Sequence, residues 1–175
     1  MLDLYILRHA KSSWKDLDLD DFDRPLNKRG KLNSAQMGRY LSERNVRPQM
    51  VLCSKAKRCK QTLKRLLAEG FSPSQQVFLN RLYLASSSEI LEEIRNTSDT
   101  VKSLMVVGHN PGLESFIEKL VEDKGNADYL SILEKFPTCA LVHIQIDTDC
   151  WSTLAPNSGR LYCYITPKQH FSQDT

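Results

Sequence analysis

The chain has 175 residues, 41% of them hydrophobic and 26% charged, which suits one globular domain with a sizeable core and excludes a disordered or fibrous class. A net charge of +3 is too slight to call for nucleic acid or an anionic membrane as partner, and no apolar run approaches membrane-spanning length. Five scattered cysteines with no CxxC pair argue against a zinc knuckle or a dithiol, and the N-terminus shows no secretory pattern, so a reduced, cytoplasmic compartment is expected.

Leu2, Leu4 and Ile6 alternate with Asp3, Tyr5 and Leu7. That predicts a first strand apolar on both faces, the kind buried in a covered sheet. Arg8 and His9 stand where it stops. The run "DLDLDDFDRP" (16–25) reads as an acidic loop, and Asn27 as the N-cap of a helix reaching about Glu43. "MVLCS" (50–54) is a second strand. Ala56, Cys59, Leu63, Leu66 and Leu67 then follow a helical period closed by Gly70.

"VFLNRLYL" (77–84) is a third strand or extended segment, and Ser86 with Glu89 forms a capping box for a helix through about Arg95. "SLMVVG" (103–108) is a fourth strand. Leu113, Phe116, Ile117, Leu120 and Val121 mark an amphipathic helix, with Asn110 as its cap and Pro111 in its first turn. After a short helix near 127–135, "CALVHIQI" (139–146) and "RLYCYI" (160–165) alternate as strands around a Pro156-Asn157-Ser158-Gly159 turn. The polar tail from about Pro167 is expected to fray. There is no repeat or linker, so residues 1–175 are expected to form a single domain.

Strand–helix alternation predicts an α/β fold, a three-layer sandwich in which helices flank a mixed, mainly parallel sheet. Ligands of such sheets bind at the carboxyl ends of the strands. Arg8-His9 follows the first strand, Cys53-Ser54 the second and Gly108-His109 the fourth, so three loops converge on one edge. Each piece has a bland explanation taken alone. Arg-His is a weak dipeptide signal, and "SKAKRCKQT" (54–62) could be a helix start with a solvated face, a reading that suits Lys55, Lys57 and Lys60 better than Arg58. Together, two histidines and two arginines at strand ends and helix starts make an anion pocket, because guanidinium forks match phosphate geometry. A neutral imidazole there can attack phosphorus.

In order and spacing, "LRHAKSSW", "DRPLNKRG", "CSKAKRCKQT" and "VVGHNPG" resemble the signature of the histidine phosphatase superfamily. More narrowly, the short chain and the wording of these motifs resemble SixA-type phosphohistidine phosphatases. The resemblance implies a phosphoglycerate mutase-like fold, with His9 as the phosphorylated nucleophile and Arg8, Arg58 and His109 as the rest of the catalytic phosphate pocket. Ser12 and Arg24 match substrate-binding positions close by. Alanine stands at position 10 where the superfamily has glycine. Many members place a glutamate general acid after the third strand; here "NRLYLASSS" offers no carboxylate before Glu89.

The resemblance implies a phosphatase working through a covalent phosphohistidine, without metal or cofactor. Its expected partner is a phosphohistidine-bearing protein or a small phosphorylated substrate. A small-molecule phosphomonoesterase and a non-catalytic phosphate-binding module are the alternatives. His143 and His170 read as structural and solvated residues. The aspartates at 16, 18, 20, 21 and 23 fail the calcium-loop template, with Asp21 where glycine is needed and Asn27 where glutamate is needed, so a solvated loop is expected, with room for one aspartate to face the pocket. A cysteine phosphatase is the chemical rival. Cys59 to Arg65 fits its spacing as a string, but Cys59 lies mid-helix on the face of Leu63 and Leu66 with no glycine between.

Overall fold

A computed structural model describes residues 1–16 and 18–171. The strands β1 (Leu2–Arg8), β2 (Met50–Ser54), β3 (Gln75–Leu79), β4 (Ser103–Gly108), β5 (Leu141–Ile146) and β6 (Gly159–Ile165) form one sheet in the order β3-β2-β4-β1-β5-β6. β1 to β4 run parallel, β5 pairs antiparallel with β1, and β6 antiparallel with β5. The helices are α1 (Lys28–Glu43), α2 (Lys57–Ala68), α3 (Ser87–Arg95), α4 (Gly112–Leu120), α5 (Ala127–Glu134) and a short α6 (Pro167–His170).

Alternation along each strand splits the core between the two faces. Leu2, Leu4 and Ile6 pack with Ile90 and Ile94 of α3, Leu113, Phe116 and Ile117 of α4, and Tyr129 and Ile132 of α5. Leu7, Val51, Cys53, Met105 and Val107 pack on the other face against Met37 and Leu41 of α1 and Cys59, Leu63 and Leu66 of α2. The fold is therefore the expected three-layer α/β sandwich, and β2, β4 and β1 lie side by side with their carboxyl ends at one edge.

The local signals act as read. The Asn27 side chain accepts from the Gly30 amide, and both halves of the Ser86–Glu89 capping box are made. Three expectations need correction. β3 ends at Leu79, and residues 80–82 form a 3-10 turn that carries the chain back toward the pocket. Asn110 does not cap α4: the Asn110-Pro111 peptide is cis, Pro111 takes the cap position, and the Asn110 amide instead donates to Glu114 and to the Phe136 carbonyl. The tail is not irregular from Pro167 onward: Thr166 caps α6 by accepting from the Gln169 amide and Phe171 packs edge-on against Tyr40; residues 172–175 lie outside the described ones.

Candidate active site

His9 is held by its backbone before its side chain does anything. Its amide donates to the Gly108 carbonyl at the end of β4, and its own carbonyl accepts from Cys139 at the entry to β5. The next amide, Ala10, donates to the Thr62 hydroxyl on α2. Gly30 lets α1 approach this loop: a Cβ there would sit 2.1 Å from the Lys11 carbonyl oxygen. The ring then has one place to go, over the edge where β1, β2 and β4 end.

Arg58 reaches the same point from the first turn of α2. Its Nε donates to His9 Nε2 at 3.2 Å, and its Nη2 lies 3.1 Å from His109 Nδ1. A guanidinium only donates, so both of those ring nitrogens are acceptors. The protons are therefore on the other nitrogens. His9 Nδ1 gives its proton to the Ala10 carbonyl at 2.8 Å, and His109 Nε2 faces the Ser54 hydroxyl at 2.8 Å. Burial pushes His9 down to about 4 despite the Ala10 carbonyl, with Arg58 and Arg8 adding repulsion. Burial also pushes His109 down to about 3, with His9 and Arg58 contributing. Both imidazoles are thus neutral at ordinary pH, and the one lone pair of His9 Nε2 is met by Arg58 Nε at the pocket.

Arg8 lies beside this group. Its Nη1 donates to the Phe136 carbonyl at 2.6 Å, while its Nε is buried without a partner among the described residues. Burial lowers its pKa, the Glu114 carboxylate opposes that, and Arg58 adds to it. Arg24 is also buried; its Nε and Nη1 have no hydrogen-bond partner among the described residues, though Nε pairs at 3.8 Å with an Asp21 carboxylate oxygen. Ser12 contributes through its backbone, in a bridge with Leu26 that closes the loop after β1. The structure therefore gathers His9, Arg8, Arg58 and His109 at one point, with Arg24 one residue farther out and Ser12 as a loop fastener.

Asp21 is the group that sequence reasoning did not single out. From the first residue of a 3-10 turn (Asp21–Asp23), its carboxylate accepts from Arg58 Nη2 at 2.9 Å and from the Tyr83 hydroxyl at 2.8 Å. Its backbone carbonyl accepts from Arg58 Nη1. Partial desolvation pushes its carboxyl up, but the Tyr83 hydroxyl and Arg58 outweigh that and hold it below its usual range. Tyr83, also unremarked in the sequence, packs edge-on to His109 with ring centroids 5.5 Å apart. The only sequence signal for either was position, an aspartate three residues before Arg24 and a tyrosine inside the segment (77–84) read as the third strand or an extended stretch.

The rival thiolate fails on burial. Cys59 is fully buried inside α2 and burial pushes its thiol up to about 12, the opposite of an activated nucleophile. Among the described residues, no three or more His, Cys, Asp or Glu side chains are grouped to hold a metal, and no helix is long and apolar enough to cross a membrane.

Residues 4–78 match the family model of the histidine phosphatase superfamily, branch 1. A Mycobacterium tuberculosis protein, itself uncharacterized, is 32% identical over 164 residues, spanning 93% of this chain and 100% of its own length. A candidate phosphohistidine phosphatase SixA of Agrobacterium tumefaciens is 30% identical, superposes with a TM-score of 0.78, and is covered over 98% of its length by 95% of this chain. The chain belongs to the histidine phosphatase superfamily. Another candidate SixA, from Nakamurella multipartitia, shares 25% identity at a TM-score of 0.83, covering 95% of this chain and 96% of that one. An uncharacterized chloroplastic protein of Arabidopsis thaliana is 37% identical over 120 residues, but there the match spans only 55% of the relative. Within a histidine phosphatase fold, the four gathered residues occupy the edge where the three loops meet.

Proposed function

We propose that this chain is a phosphatase that removes phosphate from histidine on another protein, using His9 as nucleophile. The observation that carries it is the joint arrangement of a neutral His9 Nε2 lone pair and the Arg58 fork, with Nδ1–H tied to the Ala10 carbonyl. The phosphoryl group enters where the Asp21 carboxylate now meets Arg58. Arg8, Arg58 and Arg24 hold its oxygens, using Arg8 Nε and Arg24 Nη1, which have no hydrogen-bond partner among the described residues, and the Arg58 hydrogens that now point at Asp21.

Arg58 Nε turns from His9 Nε2 to the arriving phosphoryl oxygens, and the freed lone pair of Nε2 attacks in line as the bond from phosphorus to the substrate nitrogen breaks. That imidazole leaves neutral once its far nitrogen has taken a solvent proton, for which its conjugate acid, with a pKa of about 6.5, is well suited. Because Nδ1–H stays on His9, the phosphorylated ring is cationic and is itself an activated leaving group. Water then attacks its phosphorus, and the proton released can pass to the ionised Asp21 at the mouth.

Substrate class follows from the acid. A serine alkoxide needs a proton from a positioned acid, help worth about 10²–10⁴-fold. Asp21 rests ionised against Arg58 and Tyr83 and so meets the substrate without a proton to give, and an imidazole leaving group loses least by that. The naming of two similar proteins as candidate phosphohistidine phosphatases supports the same reading. The test compares kcat/KM for a phosphohistidine-bearing protein and a phosphoserine peptide at matched pH. Preference for phosphohistidine by at least about a hundredfold is expected. Equal or better turnover of phosphoserine refutes the reading.

A further inference from the structure

Two large apolar side chains stand in solvent beside the pocket. Trp14 is 60% exposed, and its ring lies 3.9 Å from the Arg24 guanidinium. Leu84 is 56% exposed and directly follows Tyr83, whose hydroxyl bonds Asp21. The half-buried Phe22 packs edge-on against the same Tyr83, with centroids 4.9 Å apart.

Leu84 also has φ +50, in the left-handed region where glycine and asparagine are at ease and leucine is strained. The backbone there is dictated by its neighbours. Tyr83 must face the pocket, while Ala85 is buried with its carbonyl against Gly112, where a Cβ would come within 1.8 Å of that oxygen. That accounts for the turn but not for leucine. Glycine or asparagine would make the same turn with less strain and without an exposed apolar group. A residue that breaks both the conformational and the burial rule beside a site is a candidate for function.

The geometry points to Trp14 and Leu84, with Phe22, as an apolar rim that docks the phosphorylated protein around its phosphate. This rests on the phosphohistidine-protein reading above. A free phosphate or small phosphoramidate filling the Arg58 pocket would not reach the rim, whereas a protein surface carrying the phosphate must lie across it. The surface around the rim carries both signs of charge: exposed Lys11 and Lys15 lie near Trp14 in sequence and exposed Lys55 and Lys57 just before Arg58, while exposed Asp16, Asp18, Asp20 and Asp23 stand on the loop that carries Phe22. The partner that fits presents an apolar patch next to its phosphorylated side chain. Exposed aromatic and leucine side chains covered on docking are the usual anchors of such contacts.

The test uses the intact chain and two substrates: a histidine phosphocarrier domain phosphorylated with phosphoramidate, and free phosphoramidate. Leu84→Asn should keep the fold, melt no lower than wild type and hydrolyse phosphoramidate unchanged, yet lose roughly tenfold or more in kcat/KM on the carrier. Trp14→Ala should lose more on the carrier than on phosphoramidate. Equal losses on both substrates, or none on either, overturn the rim while leaving the phosphatase reading in place. A wild-type chain that hydrolyses only small phosphoesters and leaves the carrier untouched overturns the substrate reading and the rim with it.

Discussion

If His9 and His109 are both neutral in the folded chain, acid should unfold it in a way that their replacement cures. The two side chains are 8% and 3% exposed as residues, and burial holds their pKa values near 4 and 3. In the unfolded chain each returns to about 6.5. The folded values lie below the unfolded ones, so between them the unfolded state binds more protons. Stability is then full above the unfolded value and lost as pH falls toward the folded one. Going from about pH 8 to about pH 5, each imidazole withholds about 2 kcal/mol, or about 4 kcal/mol together, a large share of the 5–15 kcal/mol typical of a domain. Urea unfolding read by the fully buried Trp151 at both pH values measures this. His9→Gln/His109→Gln should lose about 4 kcal/mol less than wild type over that interval, each single variant about half. His143, also lowered by burial, is present in both chains and cancels. The same neutrality places the acid limb of kcat/KM near pH 4 and not 6.5, since His9 attacks only as the free base. Parallel stability curves for wild type and double variant would refute the neutral assignment, and with it the lone pair on which the mechanism depends.

His9→Ala should abolish turnover with the fold intact, and trapping of the wild type should yield an acid-labile, base-stable phosphoenzyme; a fully active variant ends the nucleophile assignment. Arg58→Ala should slow the chemical step by about a hundredfold or more, and Arg58→Lys should recover only part, since lysine has no planar fork; wild-type rates in both would return Arg58 to the solvated face of α2. Asp21→Asn should bind inorganic phosphate several-fold more tightly in calorimetry, because a neutral amide competes less for Arg58, and unchanged affinity would show that Asp21 does not occupy the phosphate position. Gly112→Ala should destabilise the chain by roughly 2 kcal/mol or more in urea melts, because its Cβ would meet the Ala85 carbonyl backbone, not a movable side chain; a neutral effect would mean the Tyr83–Ala85 turn can shift freely.

The parts of the site legible in the sequence are those whose position follows from periodicity. Arg8, His9 and His109 sit at strand ends, and Arg58 in the first turn of a helix, so strand alternation and helix capping place them without any tertiary knowledge. Asp21 and Tyr83 were not legible, because both lie on 3-10 turns or just past them, where no period sets direction. Asp21 sits among five aspartates in ten residues, and its contacts with Arg58, 37 positions away, and with Tyr83 distinguish it. Asn110 was misread for a related reason. An Asn-Pro before an apolar helix has the pattern of a cap, but the chain spends that side chain on Glu114 and the Phe136 carbonyl, which ties α4 to the segment that also receives Arg8.

Asp21 also explains how such a pocket can exist before substrate arrives. Arg24 and Arg58 are 8% and 4% exposed, and Arg8 is largely withdrawn beside them. Buried cations without partners cost several kcal/mol each, more than a domain can absorb three times over. Two devices keep the cost down. The histidines stay neutral and add no charge, and two carboxylates, Asp21 on the first loop and Glu114 on α4, stand against the guanidiniums. Glu114 is tied by Asn110 within the fold, whereas the Asp21 side chain is 43% exposed on a loop. A phosphoryl group that takes its place brings more negative charge and more oxygens to the same donors, including Arg8 Nε and Arg24 Nη1. On the proposed function, binding exchanges one anion for a more highly charged one at the same donors, and the positive charge that two carboxylates leave over from three guanidiniums is what draws it in.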